Sequence, residues 1–246
     1  MQSNLSGKTI ILTGSSVVRS AVQLVEQHDG RVFHYPLIEI VEKIEADDVQ
    51  RLQAVNDYQW LIFTSQNAVE SFLAKCQRHA VQVPASVKIA AVGEKTAQLL
   101  QAADLSVNFM PSVYSADVFV REFTLQASER ALFLRGSMAK NTIREGTGAD
   151  EWTVYETRDC LAHIEELKRC IASSAEPIIM FASPSAVDVY VREIVPTLDW
   201  HYVKVASIGH VTTAALSKYG VTPYVQPKTY TMQAVIEQLI LEENLK

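Results

Sequence analysis

The sequence predicts an α/β fold made of two similar domains, each a parallel β-sheet flanked by helices. Short β-branched runs alternate along the chain with amphipathic stretches of helical periodicity, which is typical of this fold class. A series of motifs in the first half returns in the second half, which indicates an internal repeat. The 246 residues, 48% of them hydrophobic, suffice for one large core or two modest ones.

The elements of the first copy follow one another as pairs of a strand and a helix. In chain order the pairs are TIILT and VVRSAVQLVEQ, WLIFT and AVESFLAKC, KIAAV and KTAQLLQAA, and VNFM and ADVFVREFT. Strands that alternate with helices form parallel sheets. Such sheets bind their ligands at the carboxyl ends of the strands, in the turns that connect each strand to the following helix. We therefore expect the functional residues in these turns.

The second copy repeats the same turns. FTSQNAV at 63–69 returns as FASPSAV at 181–187, and IAAVGEKTAQLL at 89–100 returns as VASIGHVTTAAL at 205–216. Tyr114 and Tyr230 keep the offset of the second pair. Upstream, ILTGS at 11–15 corresponds to FLRGS at 133–137. The segment NTIREGTGADE that follows carries two glycines and little apolar periodicity, which predicts a short helix after Arg135.

Composition excludes several classes of function. The chain has 22 basic and 28 acidic side chains, a net charge of −6, and no block of basic residues, so we expect no nucleic-acid partner. No stretch approaches the roughly 20 apolar residues of a membrane helix, and no secretion signal is evident, so we expect a soluble, cytoplasmic protein without a membrane partner. Cys76, Cys160 and Cys170 fit neither a disulfide framework nor a CxxC pair and are expected to be isolated thiols.

Common motifs for cofactor, metal and nucleophile sites are missing from the sequence. It contains no GxGxxG, GxxxxGK[ST], HExxH or GxSxG. The six histidines have no metal-ligand spacing, and only His210 lies in a turn where a site is expected. We therefore expect no cofactor and no metal.

Hydroxyl side chains stand at six predicted helix starts that follow strands. They are Ser65, Thr96, Ser115, Ser183, Thr212 and Thr231. Helix capping explains any one of them, and Pro184 after Ser183 suits a first helical turn. Together they predict a cleft for a polyanion if the two sheets face each other, because helix starts offer free N–H donors.

The order and spacing of these motifs resemble those of uroporphyrinogen-III synthases. The motifs are PLIEI, WLIFTSQNAV, AAVGEKTA, LFLRG, VYET, MFASPSAV, ASIGHVTTAAL and a final threonine-led helix, and they cover nearly the whole chain. The resemblance implies that a two-stranded extended linker joins the domains, with linkers near 37–39 and 154–159. One domain would combine 1–36 with 160–246, and the other would be 40–153. Two linkers imply a hinge and wide relative motion.

The resemblance also implies an activity. A uroporphyrinogen-III synthase cyclises hydroxymethylbilane to uroporphyrinogen III with loss of water and inversion of ring D, in tetrapyrrole biosynthesis. It is a lyase, and the chain would be a cytoplasmic monomer without a cofactor. The several carboxylates of the substrate match the expected polyanion cleft. A transient contact with the enzyme that precedes it in the pathway is compatible with this activity.

The resemblance assigns roles to individual residues. Tyr155, in VYET, matches the family's linker tyrosine and would donate a proton or a hydrogen bond to the departing hydroxyl. A phenol is ordinarily a weak acid, so we expect its removal to slow the reaction without abolishing it. Substrate-binding roles fall to Ser65, Thr96, Arg135, Ser183, Ser185, Lys204 and Thr212. Arg135 and Lys204 are the cations expected to meet carboxylates.

The sequence departs from the family pattern at Thr13-Gly14, where the family usually has Thr-Arg, and in the short helix after Arg135. The carboxylate contact of that arginine is therefore absent or supplied by Arg19. An alternative hypothesis is a non-catalytic two-domain binding protein that closes over an anionic small molecule and leaves it unchanged. A third interpretation, a structural repeat module, predicts no ligand.

Overall fold

The computed structural model describes residues 5–245, which form ten strands and ten α-helices. The strands are β1 (Lys8–Leu12), β2 (Arg31–His34), β3 (Ile38–Glu42), β4 (Trp60–Phe63), β5 (Lys88–Ala91), β6 (Val107–Phe109), β7 (Ala131–Gly136), β8 (Asp150–Asp159), β9 (Glu176–Phe181) and β10 (Lys204–Ser207). The helices are α1 (Arg19–Gln27), α2 (Asp48–Gln53), α3 (Gln66–Arg78), α4 (Glu94–Ala102), α5 (Ala116–Glu122), α6 (Thr142–Thr147), α7 (Ile164–Ser173), α8 (Pro184–Glu193), α9 (His210–Ser217) and α10 (Met232–Asn244). The predicted alternation of strands and helices is confirmed.

The chain divides into two compact units. Unit 1 combines Met1–Glu39 with Arg158–Lys246, and unit 2 is Ile40–Thr157. Both boundaries fall within strands, one in β3 and the other in β8. The chain therefore passes between the units in extended conformation, at the segments PLIEI and VYETR.

Unit 1 contains a four-stranded sheet in the order β10-β9-β1-β2, with every neighbouring pair parallel. Alternate residues of β1 point to opposite faces, because side chains alternate along a strand. Ile11 belongs to a core with α7, α8 and α9, whereas Ile10 and Leu12 belong to a core with α1 and α10. Helices therefore cover both faces, as the sequence predicts for a parallel sheet.

Unit 2 contains most of a six-stranded sheet in the order β3-β8-β7-β4-β5-β6, in which β8, β7, β4, β5 and β6 pair in parallel. Leu61 and Phe63 of β4 pack against α3 and α4, whereas Ile62 packs against α5 and α6. The carboxyl ends of the parallel strands share one edge, which we call the carboxyl edge of the unit.

The helix after Arg135 is short, as predicted. α6 has six residues, against nine in α1, and ends at Gly148, which has a φ of +70°. That left-handed conformation favours glycine and ends the helix. Within α6, a Cβ on Gly146 would lie 2.5 Å from Cβ of Val120, so this glycine lets α5 approach closely.

The three cysteines are free thiols, as expected from their spacing. Cys76 and Cys170 are buried and Cys160 is half-buried. Burial raises the pKa of the Cys76 thiol to about 11, so this side chain stays in its unreactive protonated form. Among residues 5–245, no helix is both long enough and apolar enough to span a bilayer.

Candidate active site

Four helices begin at a hydroxyl side chain that caps the helix, as predicted. Each hydroxyl oxygen accepts the backbone N–H three residues later, in the pairs Ser65–Ala68 (3.2 Å), Ser115–Val118 (3.2 Å), Ser183–Ala186 (3.3 Å) and Thr231–Ala234 (3.1 Å). These bonds satisfy one of the free N–H donors at each helix start. Ser65 and Ser183, the hydroxyls of the repeated turn, therefore have the same local role in the two units.

Thr96 and Thr212 lie in the first turns of α4 and α9, as predicted, but they do not cap these helices. The N-cap positions of α4 and α9 are Gly93 and Gly209, and neither helix has a side-chain cap. Each threonine lies one turn further along, and its side chain is buried. Because the two side chains are buried, the structure does not support direct contact of their hydroxyls with a ligand. Among residues 5–245, the N–H groups of the first three residues of both helices have no side-chain acceptor, whereas the N–H of Gly209 donates to Oγ of Ser207 at 3.4 Å.

Tyr155 lies at the carboxyl edge of unit 2, in the part of β8 that pairs with the end of β7. Its ring rests on Gly136, where an added Cβ would come within 2.2 Å of Cζ of Tyr155. Its hydroxyl is 3.2 Å from Oγ of Ser65 at the start of α3. Three elements therefore hold this phenol: β8 carries it, β7 supports the ring, and α3 contacts the hydroxyl.

Arg135 is committed to contacts inside unit 2, contrary to its expected role as a ligand-binding cation. The side chain is buried and forms an ion pair with Glu151 on the neighbouring strand. It also donates to the backbone oxygen of Ala139 and to Oδ1 of Asn141, the latter at 3.3 Å. These bonds fix the loop that follows β7, which leaves few donors for a substrate carboxylate.

Lys204 lies at the opposite edge of its sheet from the expected site. It is the first residue of β10, so it stands at the amino end of the strand. Its ammonium group lies 3.4 Å from a carboxylate oxygen of Glu176 and 3.3 Å from one of Glu243. Since ligands of parallel sheets bind at the carboxyl ends, this position argues against the expected role.

Four cations are exposed in the turns and first helical turns at the carboxyl edges, and the sequence pointed only to the first of them. They are Arg19 at the start of α1, Lys95 in the first turn of α4, Lys140 in the loop after β7 and Lys228 in the loop before α10. None of the four side chains has a hydrogen bond, ion pair or ring contact within residues 5–245. Arg19 opens a helix with no acidic residue in its first turn, where the helix dipole disfavours a cation. A bound anion would remove that disadvantage.

The carboxyl edge of unit 1 also carries a pair of exposed rings. Tyr230 rests on Gly209, where an added Cβ would lie 2.7 Å from Cδ1 of Tyr230. The ring of His210 is tilted against it at 5.1 Å. Ser185 is half-buried near the start of α8, next to the cap Ser183. The internal repeat pointed to Tyr230 through its match with Tyr114. It did not predict the contact of Tyr230 with Gly209.

Glu45, Asp47 and Asp48 of unit 2 come close enough to share a metal ion, with one oxygen of each within 4.8 Å of the others. Each carboxylate already has a cation partner, in the pairs Lys43–Glu45, Arg51–Asp47 and Lys75–Asp48. These ion pairs account for the cluster as part of the fold.

Known proteins and a family model match this chain along most of its length. The family model described as uroporphyrinogen-III synthase HemD matches residues 19–237. The uroporphyrinogen-III synthase of Synechococcus elongatus is 28% identical over 254 residues, which cover 94% of this chain and 94% of that protein. The uroporphyrinogen-III synthase of Chlorobaculum parvum is 28% identical over 229 residues, which cover 85% and 88%.

Two solved structures share the fold. A mutant uroporphyrinogen III synthase from Thermus thermophilus matches with a TM-score of 0.68 at 14% identity, over 96% of this chain and 99% of that chain. Uroporphyrinogen-III synthetase from Helicobacter pylori matches with a TM-score of 0.65 at 20% identity, over 97% and 100%. The motifs, the fold and the family match agree, and the chain belongs to the uroporphyrinogen-III synthase family.

Proposed function

We propose that this chain cyclises hydroxymethylbilane to uroporphyrinogen III and that Tyr155 donates to the hydroxyl that leaves. The observation that carries the assignment of Tyr155 is the support of its phenol at the carboxyl edge, with the ring on Gly136 and the hydroxyl beside Ser65. A group held from three sides is suited to act at one defined atom of a substrate, because orientation supplies much of the rate.

The chemical step needs a proton donor because hydroxide is a poor leaving group. The C–O bond of the terminal hydroxymethyl group breaks, the electron pair of that bond leaves with the oxygen, and the Tyr155 proton completes a molecule of water. The pyrrole becomes an azafulvene cation, which the substituted carbon of ring D attacks to give a spiro intermediate. Rearrangement and ring closure release a proton from carbon, which restores the phenol. Without positioning by the protein, closure would give the uninverted isomer.

Arg19, Lys95, Lys140 and Lys228 supply the positive charge for the substrate carboxylates, in place of Arg135 and Lys204. Support comes from their exposure at the carboxyl edges and from their lack of side-chain partners in the described part of the chain. The uncapped starts of α4 and α9 add backbone N–H donors, and Ser183 and Ser185 add hydroxyls. The exposed rings of Tyr230 and His210 offer flat apolar surface for pyrrole rings.

Neutralising these cations should raise KM. For each of the substitutions R19Q, K95Q, K140Q and K228Q we expect a rise of about 1.4- to fivefold, since an exposed ion pair contributes about 0.2–1 kcal/mol. The combined variant should show a larger rise and a weaker dependence of KM on salt. K218Q is the control, because the Lys218 side chain is also exposed and has no partner among residues 5–245 but lies at the other end of α9. Equal effects from K218Q and the four variants would contradict the assignment.

The remaining expectations complete the proposal. The two units would act as domains, with the limits 1–36 with 160–246 and 40–153 predicted from the sequence, and the protein would work as a cytoplasmic monomer. A transient contact with the preceding pathway enzyme would limit the escape of a labile substrate. The alternative, a binding protein for an anionic small molecule, would use the same cations but would leave its ligand unchanged.

The decisive test is to mix the purified protein with freshly generated hydroxymethylbilane and to separate the oxidised uroporphyrin isomers by chromatography. We expect predominantly isomer III, against isomer I in the protein-free control. Isomer I at the control rate would refute the proposed activity. Binding of an unreacted tetrapyrrole in the same experiment would favour the binding protein.

A further inference from the structure

We propose that Ser65 is a positioning residue for Tyr155, rather than only a helix cap or a contact for substrate. The proposal rests on the proposed function, because it concerns the proton that Tyr155 donates. It starts from the contact of 3.2 Å between Oγ of Ser65 and the phenol oxygen.

The hydrogen-bond inventory of Ser65 leaves its hydrogen available for this contact. A serine hydroxyl has one hydrogen and two lone pairs. One lone pair of Ser65 accepts the N–H of Ala68 at 3.2 Å, which fixes the side chain in its capping rotamer. The ring of Tyr155 is fixed independently by Gly136. With both groups held, either oxygen can donate across this contact; we assign the hydrogen to Ser65, which leaves the hydrogen of Tyr155 for a third acceptor.

That third acceptor is the departing hydroxyl of the substrate. As Tyr155 gives up its proton, negative charge develops on its oxygen, and a hydrogen bond from Ser65 becomes stronger. Ser65 stands at the positive end of α3, a helix of thirteen residues, which favours charge of this sign nearby. An interaction that strengthens in the transition state raises kcat and has little effect on substrate binding.

Ser65 differs in this respect from the other capping hydroxyls. Ser115, Ser183 and Thr231 accept an N–H in the same way, but within residues 5–245 none of them contacts a tyrosine hydroxyl. All four hydroxyls share the capping role, whereas only Ser65 among them contacts a tyrosine hydroxyl within residues 5–245. The capping role and the positioning role can therefore be tested separately. Ser115 lies in the same unit as Ser65 and is the matched control for the loss of a cap.

The test is a double-mutant cycle of S65A and Y155F, measured as kcat and KM for formation of isomer III. We expect S65A to lower kcat about tenfold with little change in KM, and Y155F to lower kcat about 100-fold. The double variant should be no slower than Y155F, because Ser65 acts through the phenol. S65T keeps a hydroxyl and should recover most of the activity.

S115A removes an equivalent cap from α5 and should lower the melting temperature by an amount similar to that of S65A. In the double variant S115A/Y155F, the effects of the two substitutions on log kcat should simply add. NMR of protein with ¹³C-labelled tyrosine gives a second readout: S65A should move the Cζ signal of Tyr155, and S115A should not.

The outcomes separate the inference from the function. Wild-type protein that makes isomer III, together with additive effects of S65A and Y155F, would overturn the positioning role and leave the proposed function standing. Loss of activity in S65A through KM alone would do the same. Wild-type protein that gives only isomer I would overturn the proposed function, and the inference with it.

Discussion

Replacing Lys75 with methionine should lower the free energy of unfolding by about 3–5 kcal/mol, because the change leaves a buried carboxylate without its cation. Lys75 is fully buried, and its ammonium group lies 2.6 Å from Oδ2 of Asp48, which is also buried. The same group donates to the backbone oxygen of Lys43 and lies 3.5 Å from Glu42. A hydrogen bond from Arg78 lowers the pKa of Glu42, so that carboxylate keeps its negative charge next to Lys75.

Chemical denaturation followed by circular dichroism measures this effect. R51M is the control, since the Arg51–Asp47 pair is about half exposed and should contribute much less to stability than a buried pair. The double variant K75M/D48L should be more stable than K75M, because no buried charge then lacks a partner. A loss in K75M no larger than that in R51M would show that the buried pair does not stabilise the unit.

The position of Lys75 connects this stability to the site. Lys75 lies near the end of α3, the helix that begins after Ser65. Its ammonium group lies 5.6 Å from the ring centre of Trp152 on β8, the strand that carries Tyr155. The ion pair therefore joins α3 to α2, and the contact of the same ammonium group with Trp152 joins α3 to β8, the strand that carries the phenol. Variants that weaken it should lose activity through unfolding, not through a specific change in kcat.

Local structure could be predicted from the sequence because its determinants are local. A short apolar run marks β4, and the turn FTSQNAV marks the start of α3 at Ser65, since a serine cap acts on an N–H three residues away. The short α6 followed from its glycines. At α4 and α9 the helix starts were predicted correctly but the exposure of the threonine hydroxyls was not, because the glycine takes the cap position and the threonine is buried.

The functional partners were harder to predict, because they depend on contacts between distant segments. The sequence predicts that Arg135 is a cation at the end of a strand. It does not show the ion-pair partner, because Glu151 lies on the neighbouring strand of the folded sheet. The contact of Tyr155 with Ser65 joins residues that are far apart in the chain. Lys204 is different: it precedes the apolar run of β10, so the direction of the strand already places it at the amino edge.

Replacing Gly136 with alanine should lower kcat by about 100-fold or more, at least as much as Y155F does, because the new methyl group displaces the proton donor. A Cβ at this position would lie 2.2 Å from Cζ of Tyr155 and 2.6 Å from its hydroxyl oxygen. Atoms cannot approach so closely, so the ring must leave its place on β7 and lose the contact with Ser65. The isomer assay of the purified variant measures the effect.

G93A is the matched control, because a Cβ on Gly93 would meet nothing within 4 Å and its extended backbone suits any residue. It should leave kcat and stability nearly unchanged, and any effect should fall on KM, because Gly93 lies at the start of α4, which we propose contributes to substrate binding. The variant G136A/Y155A removes the ring that the methyl group would strike, so it should be no slower than Y155A. Full activity of G136A would mean that the phenol acts from another position and that the support by Gly136 is not needed for catalysis. Equal kcat values for G136A/Y155A and Y155A would instead locate the effect in the placement of Tyr155, since the same substitution then lowers kcat only when the ring is present.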